Sequence, residues 1–127
     1  MNMTTEEQII AEALAQNAVT PLRRGGIYFH EKDGQGIGST QVFQGAKFAT
    51  CCAVGAGLAY RGAKPTTYGP LEGPMELYAR TYGVPYDFAA GVSTGFEDQM
   101  LYDDTNEDFV RGYDVGLAIA QAVGLDT

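Results

Sequence analysis

The residues best suited to chemistry in this chain are two adjacent cysteines, Cys51 and Cys52, and its single histidine, His30. A thiol in the first turn of a helix meets free N–H groups and the positive end of the dipole, and both lower its pKa. An imidazole can act as its base, and Asp33 or Glu31 would orient that ring. This is the cast of a cysteine-dependent hydrolase. The competing reading is packing. Cysteine is among the most buried residue types, and the residues around Cys51 carry no nucleophile signature. Packing is the reading preferred here, with the hydrolase as the alternative.

Other chemistries lack their residues. Neighbouring cysteines rarely meet disulfide geometry, and the chain has no third cysteine, a pattern that fits a reducing compartment. Zinc needs spaced ligands such as Cys-x-x-Cys. The acids of 103–114 lack the alternating pattern and terminal Glu of a calcium loop. Gly34, Gly36 and Gly38 have no strand–turn–helix context and no Gly-Lys-Ser/Thr follows, so no nucleotide loop is read. No metal and no cofactor are expected.

Charge is unevenly placed. The formal net charge is −8. Residues 1–86 hold seven acids and seven bases, whereas residues 87–127 hold nine acids and one base, Arg111. Phosphate contacts need clustered Lys and Arg, so nucleic-acid and membrane-surface binding are disfavoured. Acids at a helix entry satisfy free N–H groups, which accounts for Asp104, Glu107 and Asp108 before the last expected helix. Glu97 and Asp98 fall near a helix end and need solvent, a base or a partner. The segment Glu97, Asp98, Tyr102, Asp103 and Asp104 is therefore the candidate surface for a protein partner with a basic face.

The elements follow from period and punctuation. Thr4 and Glu7 form a capping-box pattern before a helix over 4–18, with Ile10, Ala13, Leu14 and Ala18 as its apolar stripe and Pro21 beyond its end. Aromatic and β-branched residues around Asp33-Gly34 predict a hairpin over 26–44, with strands near 26–31 and 39–44. A small, apolar helix over 49–61 has Thr50 as candidate cap and Gly62 as stop. A loop rich in Gly and Pro leads to a short helix over 74–82, with Pro74 in its first turn and Gly83 past its end. The chain then repeats itself. Asp87-Phe88-x-x-Gly91-x-x-x-Gly95 matches Asp108-Phe109-x-x-Gly112-x-x-x-Gly116 at an offset of 21 residues. The glycines of each copy share a helix face, which predicts an antiparallel pair of helices over 86–97 and 106–123, joined by the acidic loop. The same ridge, through Gly112 and Gly116, would serve self-association.

The Cys51/Cys52-Ala53-Val54-Gly55-Ala56 helix, after an N-terminal helix and a hairpin, resembles a group of small uncharacterised actinobacterial and phage proteins with a Cys-Ala-x-Gly-Ala helix. The paired Gly-x-x-x-Gly helices are similar to short phage proteins distantly related to ribosome modulation factors. Those factors are basic and this segment is acidic, so RNA binding does not carry over. The resemblance implies a phage or phage-derived accessory protein. The expected fold is α+β, one mainly helical domain of about five helices packed with one β-hairpin. The expected function is non-enzymatic: an acidic, cytoplasmic protein, in the host cytoplasm if phage-encoded, that inhibits or modulates a host or phage protein through its acidic C-terminal half. No apolar run approaches the ~18 residues of a membrane span, and the start of the chain lacks the basic and apolar regions of a signal peptide.

Overall fold

The computed structural model of the chain describes residues 3–25, 28–33, 35–63, 73–100 and 103–125. Thr4 caps α1 (Thr5–Val19). Its hydroxyl accepts the Glu7 N–H and the Glu7 carboxylate accepts the Thr4 N–H, so two free donors at the helix start are satisfied. The buried face of α1 is Ile9, Ala13 and Gln16. That face is turned from the expected stripe: Leu14 and Ala18 are exposed.

Three short elements follow: β1 (Phe29–His30), α2 (Ser39–Phe43) and β2 (Thr50–Cys51). The chain does reverse after β1. Glu31 N–H donates to Gln35 O, Ile37 N–H donates to Phe29 O, and Asp33 Oδ1 accepts the Gln35 N–H. The returning arm stops there, and the strand expected over 39–44 is a helix. The Gln41 side chain takes the Gly38 N–H, Val42 N–H reaches Gly38 O, and Gly45 at φ +103° ends the turn. Such local bonds favour a helical turn over a ladder. β1 pairs instead with β2, antiparallel, with Phe29 opposite Cys51 and His30 opposite Thr50. On its other side β2 is held by residues 21–23: Cys51 N–H donates to Pro21 O and Arg23 N–H to Cys51 O.

Because Thr50 belongs to β2, α3 (Ala53–Arg61) begins later than expected and its N-cap is Cys52, not Thr50. Gly62, left-handed at φ +59°, ends it. Residues Ala53 to Leu58 are all buried, and α3 packs on α1, α4, α5 and α6. Gly55 is required by the backbone itself: a methyl group there would run into the Tyr28 carbonyl oxygen. α4 (Pro74–Tyr82) starts on Pro74 and stops at left-handed Gly83. Arg61 on α3 clamps both neighbours. It makes a two-point pair with Glu12 of α1 at 2.8 and 2.9 Å, and its guanidinium lies 4.3 Å from the ring centre of Tyr82 of α4.

The two copies of the repeat form α5 (Tyr86–Phe96) and α6 (Glu107–Ala122). They pack on each other, as the glycine faces predict, but they run parallel and not antiparallel. Asn106 at the start of α6 donates to Asp87 at the start of α5, at 2.8 Å. Methyl groups on Gly91 and Gly112 would strike the carbonyl oxygens of Phe109 and Phe88, respectively. Methyl groups on Gly95 and Gly116 would strike those of Tyr113 and Val92. Each contact maps onto its mate by the same offset of 21, so the repeat is a pseudo-two-fold about an axis along the pair. Residues 97–106 carry the chain back. Ten residues can span about 33 Å, whereas an eleven-residue helix is only about 16 Å long, so nothing forces the second helix to turn back. Among the described residues the fold is a mainly helical α+β domain of six helices with a two-stranded antiparallel sheet.

Candidate functional site: the thiols and the acidic segment

Cys51 sits in β2 and Cys52 caps α3, so the backbone places both thiols at the start of the central helix. Both are buried, at 0% and 4% exposure. The Cys51 thiol is directed at Thr20 O, 4.0 Å away. Cys52 Sγ accepts the Gly55 N–H at 3.4 Å, doing the work of a capping hydroxyl. Burial pushes both thiols up to about 12. The helix start was expected to lower them. The dipole is present, but desolvation of the thiolate outweighs it.

His30 does not meet either thiol. In the β1–β2 register His30 faces Thr50 while Cys51 faces Phe29. Side chains alternate along a strand, so His30 and Cys51 lie on opposite faces of the ribbon. The ring is 1% exposed, and neither of its nitrogens has a hydrogen-bond partner. Burial lowers its pKa. Asp33 and Glu31, the expected orienters, are exposed, and Asp33 instead holds the Gln35 N–H. Among the described residues no group of three or more His, Cys, Asp or Glu is placed to hold a metal ion.

The acids divide by what they touch. Glu97, the C-cap of α5, accepts the Gly25 N–H at 2.9 Å and joins the helix end to the segment before β1. Asp98 is exposed and left-handed at φ +58°, a conformation Asp tolerates better than most residues. Asp103 accepts from the Thr105 N–H at 3.1 Å and the Thr105 hydroxyl at 2.7 Å. The cap of α6 is Asn106, whose side chain accepts the Phe109 N–H at 3.0 Å, so Asp104 is left exposed and not capping. Tyr102 lies outside the described residues. Arg111, the one base of this third, is taken by Glu6 at 2.6 Å and Asp108 at 3.4 Å. Gly112 and Gly116 are buried against α5, so a second copy could reach them only by displacing that helix.

Two features were not read from the sequence. One is Glu97 as a tie to Gly25, a contact between residues far apart in the chain. The other is Gln16, whose position three residues after Ala13 on the buried face of α1 was a visible polar interruption. The chain matches no family model, no curated protein and no solved structure. Among the described residues no helix is long and apolar enough to cross a membrane.

Proposed function

We propose that the protein is a non-enzymatic accessory protein that binds a basic partner protein through Asp98, Asp103 and Asp104, with Glu97 and Tyr102 of the same stretch of sequence. The observation that carries this reading is the engagement of Arg111 with Glu6 and Asp108. Among the described residues Asp98, Asp103 and Asp104 have no ion pair, and Asp98 and Asp104 are exposed, so the charge of this segment faces solvent. An uncompensated acidic surface attracts a basic one and speeds encounter. The buried thiols and the unpaired His30 support a binding role over the hydrolase. A modulator of a host or phage protein fits the phage-derived origin that the Cys-Ala-x-Gly-Ala helix implies.

The test uses Asp98→Asn/Asp103→Asn/Asp104→Asn. Asparagine keeps the acceptor that Asp103 offers to Thr105, so folding is preserved and only charge is removed. Against a basic partner recovered by cross-linking, the triple variant should associate about tenfold more slowly at low salt. Raising salt should slow the unmodified protein and bring the two rates together. A partner whose association rate ignores both salt and the three substitutions would rule this surface out.

A further inference from the structure

The His30 ring is buried, and on one side its cover is a glycine. A methyl group on Gly25 would come 2.6 Å from His30 Nε2, so only a residue without a side chain can lie against the ring there. Gly25 is itself exposed. Two bonds hold it against the end of α5: Arg24 Nε donates to Phe96 O at 2.6 Å, and Gly25 N–H donates to Glu97 Oε1 at 2.9 Å. The strap is rooted at Arg23, whose N–H donates to Cys51 O at 2.7 Å. A ring with no hydrogen-bond partner on either nitrogen thus lies beside a strap whose backbone N–H is held by a carboxylate. The charges around the ring set a proton on it against the strap. Arg23, from the segment before β1, opposes a positive ring, and Glu97, from the end of α5, favours one. Arg24 adds a second positive charge next to Gly25. Across the ribbon β2 presents Thr50 and the returning arm presents Gly36, both uncharged, and Glu31, Lys32 and Asp33 on the arm of His30 itself are exposed. An imidazolium N–H offers the carboxylate a full positive charge that a backbone N–H does not, so it competes for Glu97 with advantage.

We propose that residues 23–25 are a strap released by a proton: protonated His30 draws the Glu97 carboxylate off the Gly25 N–H and repels Arg23 and Arg24, and the segment before β1 parts from the end of α5. The proton comes from solvent and returns to it, so the release is reversible. Burial disfavours the charged ring, which sets the release below the ordinary histidine value of about 6.5. The two states differ in one acceptor, Glu97 Oε1, and in the sign of the field on two arginines. The device acts within the chain and does not depend on the partner reading.

The test follows the whole protein, labelled with 15N and 13C, by NMR from about pH 7.5 to about pH 5, where its single histidine gives a single ring titration. The Gly25 amide and the Glu97 carboxyl signals are expected to move with the His30 midpoint. In His30→Phe, which keeps a ring and removes the proton, the Gly25 amide should hold its neutral position throughout. In Glu97→Gln, whose side-chain oxygen still accepts the Gly25 N–H, His30 should titrate at lower pH, because the favourable charge is gone. In Gly25→Ala, which wedges the strap off the ring, the His30 midpoint should rise toward about 6.5. A Gly25 amide that ignores the His30 titration would overturn the proposal, as would one that still moves in His30→Phe, where only the carboxylate is left to titrate. A midpoint that stays or rises in Glu97→Gln would overturn it too, and so would unfolding before the ring titrates or a ring still neutral at the acid end.

Discussion

Cys52 shows how one atom's surroundings decide between chemistry and structure. Its sulfur has the position of an activated nucleophile and the partners of a cap. With a pKa near 12 and 4% exposure, the thiolate is scarce and the sulfur is out of reach. At pH 6 both cysteines should react with a thiol reagent at least ~100-fold more slowly in the native protein than in urea, since access requires opening of the fold. Fast labelling of either one, lost in His30→Ala, would restore the hydrolase. His30 carries a second consequence. Its folded pKa lies below the ordinary histidine value because the buried ring resists charge. The unfolded chain therefore takes up the proton first, near pH 6.5. The stability this group contributes is present above that pH and falls as the solution is acidified below it, down to the folded pKa. Urea midpoints at pH 7.5 and 5.5 measure this, and the difference between them should shrink in His30→Leu. An unchanged difference would show that other groups set the acid limb. The burial of the thiols was foreseeable from residue type, because cysteine is usually buried. The isolation of His30 was not, because it depends on which strand meets β1.

At the scale of elements, helix ends were legible and pairings were not. Thr4 with Glu7, Gly62, Pro74 and Gly83 act within one turn of themselves, so their residue types were enough to place them. The partner of β1 lies some twenty residues along the chain, and local bonds around Gly38 had already turned 39–43 into a helix. The glycine faces of α5 and α6 were visible as a repeat, but their direction depends on the path of 97–106, which leaves no period in the sequence. The parallel arrangement makes a symmetric prediction. Gly91→Ala and Gly112→Ala place a methyl group against equivalent carbonyl oxygens. Each should cost about 3 kcal/mol by overpacking, against less than about 1 kcal/mol gained in helix propensity. The two melting temperatures should drop by similar amounts. If only one variant is destabilised, the two-fold relation between the helices is wrong. The clamp between α1, α3 and α4 permits a second test. Arg61 and Tyr82 both reach Glu12 Oε1, at 2.8 Å each. Glu12 is 16% exposed on its side chain, so the pair is better shielded than an ordinary surface ion pair. A double-mutant cycle on Glu12→Gln and Arg61→Leu should give a coupling of about 1 kcal/mol that weakens in salt. No coupling would mean that the pair adds nothing to the contact of α1 with α3, and that Arg61 acts through α4 alone, by the Tyr82 ring and the Thr81 carbonyl.

Over the whole molecule, the neutral first two-thirds and the acidic last third share one fold. The α5–α6 pair is internally complete: its two helices satisfy each other's smooth faces and carry their own acids at both N-termini, Asp87 on one and Glu107 and Asp108 on the other, where the dipoles favour them. Such a unit could melt alone. Three ties argue against that. Arg24 Nε donates to Phe96 O at 2.6 Å and Gly25 N–H to Glu97, fixing the end of α5 to the segment before β1. Arg111 reaches back to Glu6 on α1. Phe88, Val92, Val115 and Ile119 belong to the same buried cluster as Val54 and Leu58 of α3. Removing either half would expose that cluster, which costs about 25 cal/mol for each Å² of apolar surface. Unfolding should therefore be a single transition. Far-UV circular dichroism reads all six helices. With the tyrosines of the pair removed by Tyr86→Phe and Tyr113→Phe, tyrosine near-UV dichroism reads the rest of the fold, including Tyr78 and Tyr82 on α4, which are buried and whose ring centres lie 4.8 Å apart. The two signals should give the same midpoint in urea. In Gly112→Ala, where the lesion is confined to α5 and α6, both midpoints should fall together. If the tyrosine signal holds its midpoint while the helical signal moves to lower urea, the repeat pair unfolds by itself and the ties through Arg24, Gly25 and Glu6 do not couple it to the rest.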